Sequence, residues 1–179
     1  EPEPEEQHLN SEGVLQAIQA RHMLCSAAMD LELLLSREEK DSRFLLPDGY
    51  TDVSIRVPGT VRAAVDLQRV NMTVSRAGPL VSVKVILPRA EISGMRIHYP
   101  EIRWNHAHDW LRVFTADSRS LLIRNSLIAE AERSFPELAV RRGLLIEAER
   151  NAAEVITETA KTLGADQVEI SFMEGGTGC

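Results

Sequence analysis

Long apolar runs are missing from this chain. No stretch of its 179 residues reaches the roughly 18 apolar positions that a membrane-spanning helix needs. Cysteine is scarce as well. Cys25 and Cys179 are the only two, which is no disulfide framework. Cys25 reads as a small buried hydrophobe and Cys179 as the last residue of a glycine-rich tail. Basic charge is in deficit, with 20 Lys and Arg against 27 Asp and Glu and a net charge of -7. Such a surface repels nucleic acid and anionic lipid heads. The densest basic pair, Arg141-Arg142, lies between helical apolar residues and reads as a solvated helix face. A nucleophile elbow, a phosphate-cradling glycine loop and an H-E-x-x-H helix are all absent. Gly59, Gly78 and Gly94 stand alone and fit turns and bulges.

What remains is ordinary globular composition, 44% apolar and 26% charged, in a length that suits one domain with a sizeable core. The first residue is not Met, and the opening run Glu1-Pro2-Glu3-Pro4-Glu5-Glu6 is acidic and proline-alternating. A run of that kind cannot pack and suits a tether to something upstream. The expected organisation is therefore an acidic tether over 1–9, a single α+β domain over 10–173 and a flexible tail over 174–179.

Asn10-Ser11 offers an N-cap, and Val14, Leu15, Ile18, His22 and Cys25 recur at helical spacing. The period then shifts to two. Met29, Leu31, Leu33 and Leu35 predict a strand, followed by a polar loop over Ser36–Ser42 and a turn at Pro47-Asp48-Gly49. Val53, Ile55 and Val57 predict another strand, which Pro58-Gly59 interrupts and Val61 to Leu67 continue. Asn71–Arg76, the hairpin residues Ala77-Gly78-Pro79, the clean alternation Val81, Val83, Val85, Leu87, and Glu91–His98 complete a mainly antiparallel sheet. A long two-part helix follows the irregular stretch Tyr99–Thr115. Its first part starts at Asp117 or Ser118 and carries Leu122, Ile123, Leu127, Ala131 and Phe135. Pro136 divides it, with Ser134-Phe135-Pro136-Glu137 as a fresh capping box. Gly164 stops the second part, and Val168, Ile170 and Phe172 form a last strand. The alanine-rich second part suits close packing on the sheet.

The sharpest polar group is Asn105-His106-Ala107-His108-Asp109. On extended backbone, H-x-H puts both imidazoles on one side, so His106 and His108 are the candidate metal ligands, with His98 or Asp109 as a third. The competing reading is a polar connection between strand and helix. His8 falls in the tether, and His22 reads as a packed or capping histidine. Tyr99, Trp104 and Trp110 form a loose aromatic group that marks a binding surface or locks the loop on the core. Asp66, between Val65 and Leu67, reads as a structural turn residue that receives backbone N–H groups. Glu147, Glu149 and Glu154, with Arg150 among them, read as a salt-bridged helix face. No catalytic residue and no cofactor is assigned.

The segments Pro58-Gly59-Thr60-Val61-Arg62-Ala63-Ala64-Val65-Asp66-Leu67 and Leu87-Pro88-Arg89-Ala90-Glu91-Ile92 resemble Domain of Unknown Function family 4230 of bacterial proteins. Gly143-Leu144-Leu145, Ala148, Asn151-Ala152, Leu163-Gly164 and Val168–Phe172 are similar to its closing helix and strand. The resemblance runs from about Leu24 to Phe172. It departs at Ala64, where the family usually has glycine, and in the Pro100–Asp109 insertion. It implies a membrane-anchored protein with one N-terminal spanning helix and a domain outside the cytoplasm, in the cell envelope. It implies no known enzyme activity.

The first expectation is thus a non-enzymatic extracytoplasmic interaction or structural module. It would self-associate or bind a protein partner, avoid nucleic acid, and meet the membrane only through an upstream anchor. The alternatives are a metal-dependent hydrolase built on His106 and His108, and a binder of lipid or another apolar ligand in a groove between sheet and helices.

Overall fold

The computed structural model describes residues 23–41, 49–108 and 117–173. At 23–26, 39–41, 49–51, 106–108 and 117–120 it describes the backbone alone. The expected tether, the N-terminal helix up to His22, Pro47-Asp48, Asp109, Trp110 and the tail lie outside the described residues.

The chain is α+β, with seven strands and two long helices among the described residues. They are β1 (Met23–Asp41), β2 (Gly49–Asp66), β3 (Asn71–Ala77), β4 (Leu80–Leu87), β5 (Glu91–Ile97), β6 (Arg103–His108), α1 (Asp117–Arg141), α2 (Leu144–Thr162) and β7 (Gln167–Phe172). One sheet has the order β1-β2-β5, with β6 also on β2, and the other has the order β3-β4-β7. The fold divides into two compact units. One holds Ala28–Arg62 and Gly94–Gly143, and the other holds Ala63–Ser93, the chain from Leu144 onward and the start of β1.

In the unit that carries α1, β2 alternates without a slip. Val53, Ile55, Val57, Gly59 and Val61 are buried, while the residues between them are half-buried or exposed. The expected interruption at Pro58-Gly59 is absent. A bulge residue would throw Val61 onto the other face, and the phase is kept. Gly59 has a different purpose. A Cβ there would stand 3.0 Å from the Arg96 carbonyl oxygen and 3.0 Å from Phe135 Cζ, so only glycine lets the α1 ring approach the strand.

Helix α1 buries Ile123, Leu127, Ala131, Phe135 and Ala139, each four residues from the next. Leu122, expected in this stripe, is 70% exposed. The expected break at Pro136 does not occur, and α1 runs through it to Arg141. An interior proline costs about 3 kcal/mol. Burial of one large apolar side chain returns about 1.5–3 kcal/mol, and the stripe continues past Pro136 through Ala139. The division falls at Gly143 instead, whose φ of 86° ends the helix with its N–H on the Val140 carbonyl. β1 also outlasts its apolar pattern. Ser36–Asp41, expected as a loop, remain strand. Arg37 there bonds Ser126 and Glu130, an i, i+4 pair on α1. Met23–Cys25, expected at the end of the first helix, belong to β1.

In the unit that carries α2, register sorts the side chains. Val74–Val83–Val168 and Met72–Val85–Ile170 form rows on one face, and Thr73–Lys84–Glu169 and Ser75–Ser82–Gln167 form rows on the other. β3 and β4 are antiparallel, joined by the two-residue loop Gly78-Pro79. Gly78 at φ 66° and proline's fixed negative φ give the signs of a type II′ turn. β7 pairs with β4 in parallel, an exception to the expected antiparallel pattern. The parallel direction follows from α2, which returns the chain before β7 begins. α2 buries Leu144, Ala148, Ala152, Ile156 and Ala160, a slender stripe inside the chain. It ends in a Schellman motif. Gly164 (φ 98°) donates to Lys161, Ala165 donates to Ala160, and Ala165 is buried. Asp166 then fixes the register, because its carboxylate accepts the Val81 N–H at 2.7 Å and its own N–H donates to the Val81 carbonyl at 2.9 Å.

Candidate functional site

β5 and β6 both pair with β2, and the chain leaves that pairing between them. The His98 N–H donates to the Pro58 carbonyl at 3.0 Å, and Arg103 lies opposite Arg56. The four residues Tyr99–Ile102 therefore face the single β2 residue Val57. They coil into one 3-10 turn, with Glu101 N–H on the His98 carbonyl and Ile102 N–H on the Tyr99 carbonyl. Proline in this turn has no N–H to waste. The excursion is the candidate site, because open grooves lie on both of its sides. One, of about 710 Å³, is lined by Met95–Glu101 and Glu132. The other, of about 510 Å³, is lined by Glu32, Arg56, Pro58 and Pro100–Arg103.

A polar chain stands at the base of the turn. The Thr60 hydroxyl lies 2.6 Å from Asp30 Oδ1 and 3.1 Å from His98 Nε2, and His98 Nδ1 lies 3.8 Å from Glu101 Oε1. Donor and acceptor counting assigns the protons. An ionised carboxylate only accepts, so the single Thr60 proton goes to Asp30. The Thr60 oxygen then accepts from His98, whose Nε2 carries hydrogen. In a nucleophilic triad the order is reversed, since the imidazole takes the hydroxyl proton and the carboxylate holds the far ring nitrogen. Here the hydroxyl sits between the two. Thr60 connects β1 to His98, in an order that is not that of a Ser-His-Asp triad.

The aromatics divide. Tyr99 is exposed, and its O–H donates to Glu132 on α1 at 2.9 Å. That hydrogen bond, then partial loss of water, then the Glu132 charge push the phenol above its ordinary value. Trp104 is half-buried, with the Arg124 guanidinium of α1 4.8 Å from its ring centre. Trp110 lies outside the described residues. The two described aromatics thus each meet a polar side chain of α1.

His106 and His108 lie on β6 opposite Val53 and Thr51, and Trp104 lies opposite Ile55. Directly opposed residues share a face, so backbone register places positions 104, 106 and 108 on the face of β2 that carries Val53 and Ile55. The side chains of His106 and His108 are not among those described. His98, the suggested third ligand, commits Nε2 to Thr60. Among the described residues no group of three or more His, Cys, Asp or Glu could hold a metal.

Asp66 Oδ1 accepts the Gln68 N–H at 3.0 Å and caps the 3-10 turn Leu67–Arg69. Glu149 is a clamp. It accepts from Arg89 Nη1 at 3.0 Å and from the Ala90 N–H at 3.3 Å, while Arg89 also reaches the Met173 carbonyl. These contacts account physically for Arg89-Ala90 in the Leu87–Ile92 segment. Sequence reasoning missed the Asp30–Thr60–His98 link. Thr60 lies 30 and 38 positions from its two partners, and no local pattern joins them.

No helix among the described residues is long and apolar enough to cross a membrane. The architecture and the site together define an α+β chain with seven strands and two long helices among the described residues, and a turn-borne polar site. The chain belongs to the family described as protein of unknown function (DUF4230), whose model matches residues 17–170. No curated protein and no solved structure matches it.

Proposed function

We propose that this chain is a non-enzymatic interaction or structural module of a bacterial cell envelope, tethered through its N-terminus with the folded part outside the cytoplasm. One observation carries the reading on the chemical side. The Asp30–Thr60–His98 link places the hydroxyl between carboxylate and imidazole, which is not the hydroxyl–imidazole–carboxylate order of a nucleophilic triad. Its role is to pin the turn at Tyr99–Glu101 to β1 and β2. The grooves beside that turn are open, as a surface for a partner would be, rather than closed around a small substrate. The acidic balance favours a protein partner over nucleic acid. The compartment rests on the acidic, proline-alternating start and on the family resemblance.

The test has two arms. The full-length protein is fractionated and its folded part probed with protease on intact cells; the expected result is membrane association with external cleavage. Crosslinking and pull-down from solubilised membranes are expected to return a second copy or one reproducible partner. A protein that is released with the cytoplasm, or stays monomeric and captures nothing, overturns the proposal.

A further inference from the structure

Arg56 and Arg103 lie directly opposite each other on the antiparallel pair β2 and β6. Their side chains therefore leave the sheet on the same face, about 4.5–5.5 Å apart at Cβ. Like charges in that position repel. Arg56 has a counter-ion, since its Nε lies 3.4 Å from Glu32 Oε1. Among the described residues no carboxylate pairs with Arg103. The nearby Glu101 carboxylate lies 3.8 Å from His98 Nδ1, a contact that is an ion pair only with the imidazole protonated. Both arginines line the groove of about 510 Å³ beside the turn, whose wall is mostly polar, with Pro58, Pro100 and Ile102 as its smaller apolar part.

We propose that this groove binds a carboxylate carried on an otherwise uncharged, partly apolar molecule. A guanidinium is a planar fork that matches the two oxygens of a carboxylate. Glu32 already pairs with Arg56 through a single Nε–Oε1 contact, and among the described residues Arg103 is left with no paired carboxylate. A second carboxylate there would also relieve the repulsion between the arginines. Charge selects against a larger anion. Glu32 and Glu101 rim the groove and the whole chain carries -7, so a dianionic phosphate meets more repulsion than a monocarboxylate. The apolar part of the wall supplies contact for the body of the ligand. This inference does not rest on the envelope location and fails or stands separately from it.

The experiment is a titration of the full chain followed by NMR at the arginine Nε–Hε groups, with butyrate as probe and butyramide as its neutral shape-match. Butyrate is expected to shift Arg56 and Arg103 with saturation at about 1–10 mM, the weak range open to one fork and a short chain. Butyramide is expected to leave both unmoved, and inorganic phosphate to bind more weakly than butyrate. Arg103→Gln should weaken butyrate about tenfold, the loss of one charge-assisted hydrogen-bonded pair. Arg103→Lys should fall between, because it keeps the charge and loses the fork. A purely structural Arg103 would lose stability on substitution. Here Arg103→Gln is expected to raise the denaturation midpoint, because it removes the repulsion. Equal shifts from butyrate and butyramide, non-saturating shifts, phosphate binding tighter than butyrate, or an Arg103→Gln protein with unchanged butyrate affinity would each overturn the proposal.

Discussion

Gly59 is a point of close approach between α1 and β2. Its missing Cβ leaves room for the Phe135 ring and for the Arg96 carbonyl, both at 3.0 Å from where that carbon would be. The ring is a side chain and can give; the carbonyl is backbone and cannot. Gly59→Ala is therefore expected to destabilise the chain by about 1–3 kcal/mol, the usual cost of overpacking. Adding Phe135→Leu should recover only part of that loss, because the carbonyl contact remains. Denaturant midpoints of the two single variants and the double variant read this directly, and strict additivity would exclude the ring as a source of strain. Tyr99 gives a second test at this scale. Its hydrogen bond to Glu132 holds the neutral phenol, so the folded value is raised above its ordinary 10.0. A raised value means the folded state keeps the proton more tightly. The stabilisation is complete below the unfolded value and fades as pH rises through the folded one. Tyr99→Phe should therefore lower stability at neutral pH and make no difference in strong alkali. Tyrosinate absorbance in a Tyr50→Phe background isolates the group, since the chain has 2 tyrosines. A Tyr99 titration at or below the ordinary value would show that the hydrogen bond is not kept.

At the scale of elements, the two-part helix tests how a helix ends. Gly143 sits at φ 86° with nothing within 4 Å of where its Cβ would be. Gly143→Ala then carries a purely conformational cost of about 1–2 kcal/mol for an L-residue in left-handed backbone. Pro136→Ala should go the other way. It restores an N–H for the Glu132 carbonyl and relieves the ring clash, a gain of up to about 3 kcal/mol. Thermal unfolding of the two variants should move in opposite directions. The same pair marks what local pattern can reveal. The alternating strands over Val53–Val57, Val81–Leu87 and Val168–Phe172, and the stop at Gly164, were legible, because period and cap chemistry are local. The break was misplaced because a proline signal is local while the buried stripe that overrides it is tertiary. Ser36–Asp41 read as loop for a similar reason, since Arg37 finds its partners 89 and 93 positions away on α1. The site was legible only in part. His98 and the aromatics stood out by residue type, but the Thr60 link and the Arg56–Arg103 opposition depend on register, which no single segment carries.

For the molecule as a whole, β7 is the decisive closure. It enters a sheet whose other two strands end at Leu87, some 80 residues earlier, and its pairing is parallel. Such a contact orders a long loop before it returns any energy, so it is expected to form late in folding. The contacts that hold it are distributed: Asp166 on Val81, Met173 on Leu87, and Arg89 bridging Met173 and Glu149. Truncation after Gly164 would remove all the β7 contacts at once. It would turn β4 from a central strand into an edge and bare Val83, Val85 and Leu87, which are at most 1% exposed in the intact chain. The expected product keeps helical circular dichroism, binds a hydrophobic dye and associates through the new edge. A substitution separates strand pairing from mere chain length. Asp166→Asn keeps all residues yet loses the charge on the acceptor for Val81 N–H, and should cost about 1–2 kcal/mol with the fold intact. If the truncated chain instead unfolded as cooperatively as the full one, β7 would be an ornament on a sheet complete without it, and the closing helix would owe its place to its alanine stripe alone.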